Sequence, residues 1–79
     1  LSAEAALKKA DANVTKARAI LAQRLEVNKR KQQLVSRQAT STQAAEEAQR
    51  DEDVAKADVL VAESDVEVVK AQLADAARN

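Results

Sequence analysis

Apolar residues in the second half of the chain recur at alternating steps of three and four: Ala45, Ala48, Ala55, Val59, Ala62, Val66, Val69, Leu73 and Ala76. Glu52 is the one charged member of the series. Such a stripe keeps one helix face turned to a partner helix over many turns, which is the pattern of a coiled-coil seam. The first half carries a matching stripe at Ala3, Leu7, Ala10, Val14, Ala17 and Leu21. It then turns polar at Arg24, Asn28 and Lys31 and closes with Val35. Two seams predict two helices, spanning about 2–36 and about 41–77.

The break between them is written in hydroxyl residues. Around Ser36, Thr40, Ser41 and Thr42 the strong helix formers give way to side chains that compete with helical hydrogen bonds but cap helix starts well. A tip at about 37–40, bending near Gln38, follows, with Thr40 or Ser41 as the N-cap of the second helix. Thr40 and Gln43 have capping-box spacing, and Glu46 and Glu47 follow on the side the helix dipole favours. So short a connection makes the helices antiparallel neighbours. The predicted fold is all-α, a two-helix antiparallel coiled-coil hairpin.

In a hairpin the numbers of facing residues add to a constant. A sum of 76 pairs Ala3 with Leu73, Leu7 with Val69, Ala10 with Val66, Val14 with Ala62, Ala17 with Val59 and Leu21 with Ala55, setting large against small in nearly every layer. The helix-pairing seam is therefore expected at Leu7, Ala10, Val14, Ala17, Leu21, Ala55, Val59, Ala62, Val66, Val69 and Leu73. The same register places Arg24 opposite Glu52.

Composition narrows the function. The 79 residues are 46% hydrophobic and 33% charged, and they include no aromatic residue and no Gly, Pro, Cys, His or Met. Without His or Cys there is no zinc-type site, imidazole base or thiolate nucleophile. No catalytic residue, metal or cofactor is therefore expected. The formal net charge is zero, which offers no long-range attraction to nucleic acid, and no ring is present for bases to stack on. No apolar run approaches the roughly 20 residues that span a bilayer, so no direct membrane insertion is expected of this segment. A lipid-surface helix is also a poor fit, since it calls for a basic face with bulky apolar anchors.

Charge is distributed unevenly despite its balance. Residues 24–37 sum to +4 and residues 46–53 to −4, so the tip-proximal halves of the two helices should attract. Six large apolar residues fall off the seams, Ile20 and Leu25 on the first helix and Val54, Leu60, Val61 and Val68 on the second. They either widen the core face or pack several hairpins side by side, and exposed apolar stripes favour the second reading. An alanine-rich seam buries little area per residue, so the hairpin on its own is expected to be only marginally stable.

Arg30, Leu34 and Ser41 stand in the spacing R-x-x-x-L-x-x-x-x-x-x-S across the predicted tip. This resembles the hairpin-tip motif of periplasmic adaptor proteins, the membrane fusion proteins of bacterial tripartite efflux pumps, such as AcrA, MexA and MacA. The alanine-rich flanks are similar to that family's α-hairpin, as is the ending from Gln72 to Asn79. Two departures are visible: the family often has Gly in the turn where this chain has Ser36, and an acidic residue three after the Ser where this chain has Ala44.

The resemblance implies a segment of a larger adaptor whose lipoyl, β-barrel and membrane-proximal domains lie outside this chain. A sequence that starts and stops in mid-pattern fits that expectation. It implies a periplasmic location in a Gram-negative bacterium, with the full-length protein anchored to the inner membrane. Neighbouring hairpins, typically six, would align side by side, and Arg30, Leu34 and Ser41 at the tips would dock to a TolC-like outer-membrane channel. An inner-membrane transporter, bound through the other domains, would then export a drug or solute. The alternative is a structural coiled-coil spacer or scaffold segment whose tip has no special task.

Overall fold

The computed structural model describes residues 2–78, and Leu1 and Asn79 lie outside the described residues. Two helices account for nearly all of it, α1 at Ala3–Ser36 and α2 at Thr42–Arg78. They pack antiparallel along their length into a rod of 62 × 14 × 14 Å. The fold is thus an all-α two-helix hairpin.

Each helix starts where a serine can satisfy an orphan backbone donor. The Ser2 hydroxyl accepts from the Ala5 N–H at 3.1 Å, and the Ser41 hydroxyl accepts from the Ala44 N–H at 3.0 Å. Ser41 is therefore the N-cap of α2, and the Thr40–Gln43 capping box does not form. With Ser41 as cap, the position that would complete a box is Ala44, which has no side-chain acceptor. Gln43 instead donates to Glu47 one turn on, at 3.3 Å.

The seam residues fold inward as a graded stripe. Ala10, Val14, Ala62 and Val66 form one buried cluster, with Leu7, Ala17 and Val69 packed against it. Leu21, Val59 and Leu73 are half-buried, and Ala55 is buried. Ala3 and Ala76, at the open end, are exposed, because the stripe there has no further layer to close over it. Hydrogen bonds across the tip-proximal half report the register: Asn28 reaches Gln49 and Gln32 reaches the Ala45 carbonyl, both pairs adding to 77. Asn28 also reaches Glu52 and Arg18 reaches Glu63, pairs that add to 80 and 81, so the cross-helix contacts lie beyond the expected sum of 76, by as much as a helical turn.

No large side chain among the described residues is completely buried. Alanine lets the helix axes approach closely but contributes little apolar area to the interface. The rod consequently exposes 5885 Å², against about 4,700 Å² for a compact protein of its mass.

Candidate docking site at the hairpin tip

The tip is closed by backbone geometry rather than by glycine. The Ala39 N–H donates to the Leu34 carbonyl at 2.8 Å and the Gln38 N–H donates to the Val35 carbonyl at 2.9 Å. These two bonds make a Schellman motif, which satisfies the last carbonyls of α1 and requires a left-handed residue after the C-cap. Arg37 is the C-cap, and Gln38 takes the left-handed position at φ 59°. Ser36, which stands where the resembled family often has Gly, is still helical, and its hydroxyl donates to the Gln33 carbonyl at 2.7 Å. The left-handed position is thus Gln38, two residues after Ser36.

A non-glycine residue in this conformation costs about 1 kcal/mol or more, because Cβ crowds the following carbonyl. Gln38→Gly is therefore expected to stabilise the hairpin by about 0.5–1 kcal/mol, the larger unfolded-state freedom of Gly offsetting part of the gain. Urea titration followed by circular dichroism measures it. A loss of stability would mean that the Gln38 side chain contributes more than its backbone costs.

The three motif residues occupy different parts of this turn. Leu34 is half-buried in the last turn of α1, and its carbonyl accepts from both Arg37 and Ala39. Ser41 is exposed, with its hydroxyl committed to the cap of α2. Arg30 is exposed and makes no ion pair among the described residues. The same is true of Lys29 and Arg37, and the half-buried Lys31 is likewise without an ion pair, so the tip-proximal end of α1 presents basic charge to solvent.

Behind the tip lies a polar cluster between the helices. Asn28 and Glu52 are 6% and 7% exposed, the buried polar members of the seam. The Asn28 amide donates to a Glu52 carboxylate oxygen at 2.9 Å and to the Gln49 side-chain oxygen at 3.0 Å. Its own oxygen accepts from the Gln32 amide at 2.9 Å, and Gln32 also donates to the Ala45 carbonyl. Lys56 pairs with the second Glu52 oxygen at 2.8 Å, and Gln49 donates to Asp53. No buried polar side-chain atom among the described residues is left without a partner.

This corrects the expected pairing of Arg24 with Glu52. Asn28, four residues nearer the tip, holds Glu52 from the opposite helix, and Lys56 holds it from its own. Arg24 is half-buried and makes no ion pair among the described residues. The opposed charges of the tip-proximal halves likewise form no ion pair across the helices. The cross-helix ion pair among the described residues is Arg18–Glu63 at 2.8 Å, nearer the open end. Exposed charges at such spacings gain about 1 kcal/mol or less from a fixed contact, so proximity alone does not lock them. Gln32 and Gln49 belong to no seam, and the signal that could have flagged them is the pair of polar seam positions, Asn28 and Glu52, that need neighbours to satisfy them.

The hydrogen bond from Asn28 is the largest influence on the Glu52 carboxyl, followed by that from Lys56, and together they hold it below the ordinary glutamate value of 4.5. Lys56 is correspondingly held above its ordinary value by Glu52. A group whose folded pKa is lowered contributes stability that is complete above its unfolded value and declines as pH falls through the folded one. Thermal midpoints should therefore hold steady down to about pH 5 and then fall. In Glu52→Gln this acid loss should be smaller; identical slopes for the two proteins would remove Glu52 from the account.

No cluster of acidic, His or Cys side chains among the described residues is arranged to hold a metal ion. No helix among them is long and apolar enough to cross a membrane. The fold and the tip define a coiled-coil helical hairpin with a capped, basic end. No protein-family model, curated protein or solved structure matches the chain.

Proposed function

We propose that this hairpin is the assembly module of a periplasmic efflux-pump adaptor. Its tip docks to a TolC-like outer-membrane channel, and neighbouring hairpins stand side by side around that contact. Export of a drug or solute is driven by an inner-membrane transporter that binds other domains of the adaptor. The observation that carries this reading is Arg30, an exposed guanidinium without an ion partner among the described residues, one helical turn from Leu34 at the end of a long rod. Arg offers several donors in a fixed plane, suited to the carbonyls and carboxylates of another protein's helix ends.

The structural-spacer reading draws on two other observations. The Leu34 carbonyl closes the Schellman turn and the Ser41 hydroxyl caps α2, so both residues have a structural task before any partner is considered. Arg30 has no such task. In the full-length adaptor, Arg30→Asp should leave helicity intact and abolish efflux of a dye substrate from cells, with Leu34→Asp giving the same loss. Normal efflux from Arg30→Asp would leave the spacer reading standing.

A further inference from the structure

The two long sides of the hairpin differ in chemistry. On one side the groove between the helices, about 410 Å³, is lined by Asp11, Thr15, Glu63 and Glu67, and the Arg18–Glu63 ion pair spans it. On the other side two adjoining grooves of about 330 and 150 Å³ share Ile20 and Asp58. Val61 lines the first and Val54 the second, and Val68 continues the same spacing of seven along α2. Val54, Val61 and Val68 are more than half exposed, so this side carries an apolar strip that the hairpin itself does not cover.

Charge on this side is sorted by helix. Asp51, Asp58 and Asp65 line the grooves from α2 at steps of seven. Lys16 lines the first of them from α1, with Lys9 seven residues before it, a two-turn step that keeps both on one face. One edge of the strip is acidic and the other basic.

We propose that a second copy of this chain covers this side, the two hairpins lying parallel about a two-fold axis along their length, so that α1 of each rests on α2 of the other. Only two two-fold arrangements bring a side of one hairpin onto the same side of another. An axis across the rod stacks α2 on α2 and sets Asp51, Asp58 and Asp65 against their own copies. An axis along the rod sets those aspartates against Lys9 and Lys16 and buries Ile20 and the three valines between four helices. Like charges juxtaposed at an interface disfavour the first arrangement, and opposite charges favour the second.

The rod has surface to spare for such a contact. The surplus of about 1,200 Å² over a compact protein of this mass exceeds the roughly 800 Å² that one partner hides in a standard interface. The pairing names a face and a symmetry that the docking proposal does not, and it stands whether or not the tip meets a channel. Both tips point the same way, leaving both free.

Sedimentation equilibrium of the chain should give twice the 8.5 kDa mass. Val61→Asp, at an exposed position, should keep its helicity and weaken self-association by about tenfold or more. Leu60→Asp, next in sequence but lining none of these grooves, should leave the mass unchanged. Asp58→Lys should dissociate the pair and Lys16→Asp should restore it in the double variant. Spin labels on Gln38→Cys should lie well under half the 62 Å rod length apart, since the tips share one end. A monomer at every concentration, undiminished association of Val61→Asp, or labels separated by nearly the whole rod would each overturn the proposal.

Discussion

Asn28→Ala is expected to lower the melting temperature of the hairpin by about 10 °C, a larger effect than its single lost side chain suggests. Asn28 is the centre of the polar cluster, donating across the helices to Glu52 and Gln49 and accepting from Gln32. Alanine removes those bonds and takes from the buried Glu52 carboxylate its donor on the opposite helix, a loss of about 2 kcal/mol for a buried hydrogen-bonded group. In a domain of this size each kcal/mol moves the midpoint by about 4–8 °C. Circular dichroism melts measure it, and a change of only one or two degrees would mean that water replaces the amide.

The companion experiment replaces both centres of the cluster. Asn28→Leu with Glu52→Leu makes the buried layer apolar, and exchanging a buried polar group and its partner together is often neutral or stabilising. The double variant should therefore melt no lower than the native chain. Its register should be less well defined, because a polar residue at a single seam position fixes alignment where repeated Ala and Val layers tolerate a slip. Disulfide trapping between cysteines placed at 14 and 62, and at 14 and 66, would show one product natively and two in the variant.

Val66 offers the second large effect. It lies in the buried cluster with Ala10, Val14 and Ala62, and the groove beside it is bordered by Asp11, Glu63 and Glu67. Val66→Asp places a carboxylate on a buried seam beside three acids and one arginine already paired to Glu63, at a cost of about 3 kcal/mol or more. The helical signal should collapse. Val66→Lys enters the same space with a long stem that can lie along the seam and carry its ammonium out to those acids, for about 1–2 kcal/mol. The ratio decides between causes. Equal losses in the two variants, followed by urea unfolding, would show that lost packing outweighs the acidic surroundings.

Much of this architecture was readable in the chain. The three-four spacing from Ala45 to Ala76 and from Ala3 to Leu21 has one physical meaning, a helix face turned to another helix, and the hydroxyl cluster at residues 36–42 marks where one helix must stop. The cap at Ser41 was one of two candidates that local chemistry allowed. Choosing between Thr40 and Ser41 depends on where the Schellman turn delivers the chain, and that turn rests on the φ of Gln38, a residue with no sequence signal for the left-handed region. A search for glycine looks in the wrong place when the turn bonds are strong enough to hold a glutamine there.

The tip site was legible as a spacing and no further. Arg30, Leu34 and Ser41 can be picked out by counting, but that Leu34 and Ser41 are occupied in closing the turn while Arg30 is not follows only from the hydrogen bonds. The Arg24–Glu52 pairing failed for a related reason. Charges were matched by sign at facing positions, whereas Glu52 is nearly buried and took the short amide of Asn28 and the nearby ammonium of Lys56.

The sequence by itself determined that this protein is two long helices with one bend between them, because periodicity and helix propensity act locally and need no partner to be read. Tertiary structure alone decided which polar groups meet across the seam and which side of the rod is left apolar. Those outcomes depend on the rotation of each helix about its axis and on sub-turn shifts along it. Such displacements leave the spacing of residues in the chain unchanged while altering every contact between the helices.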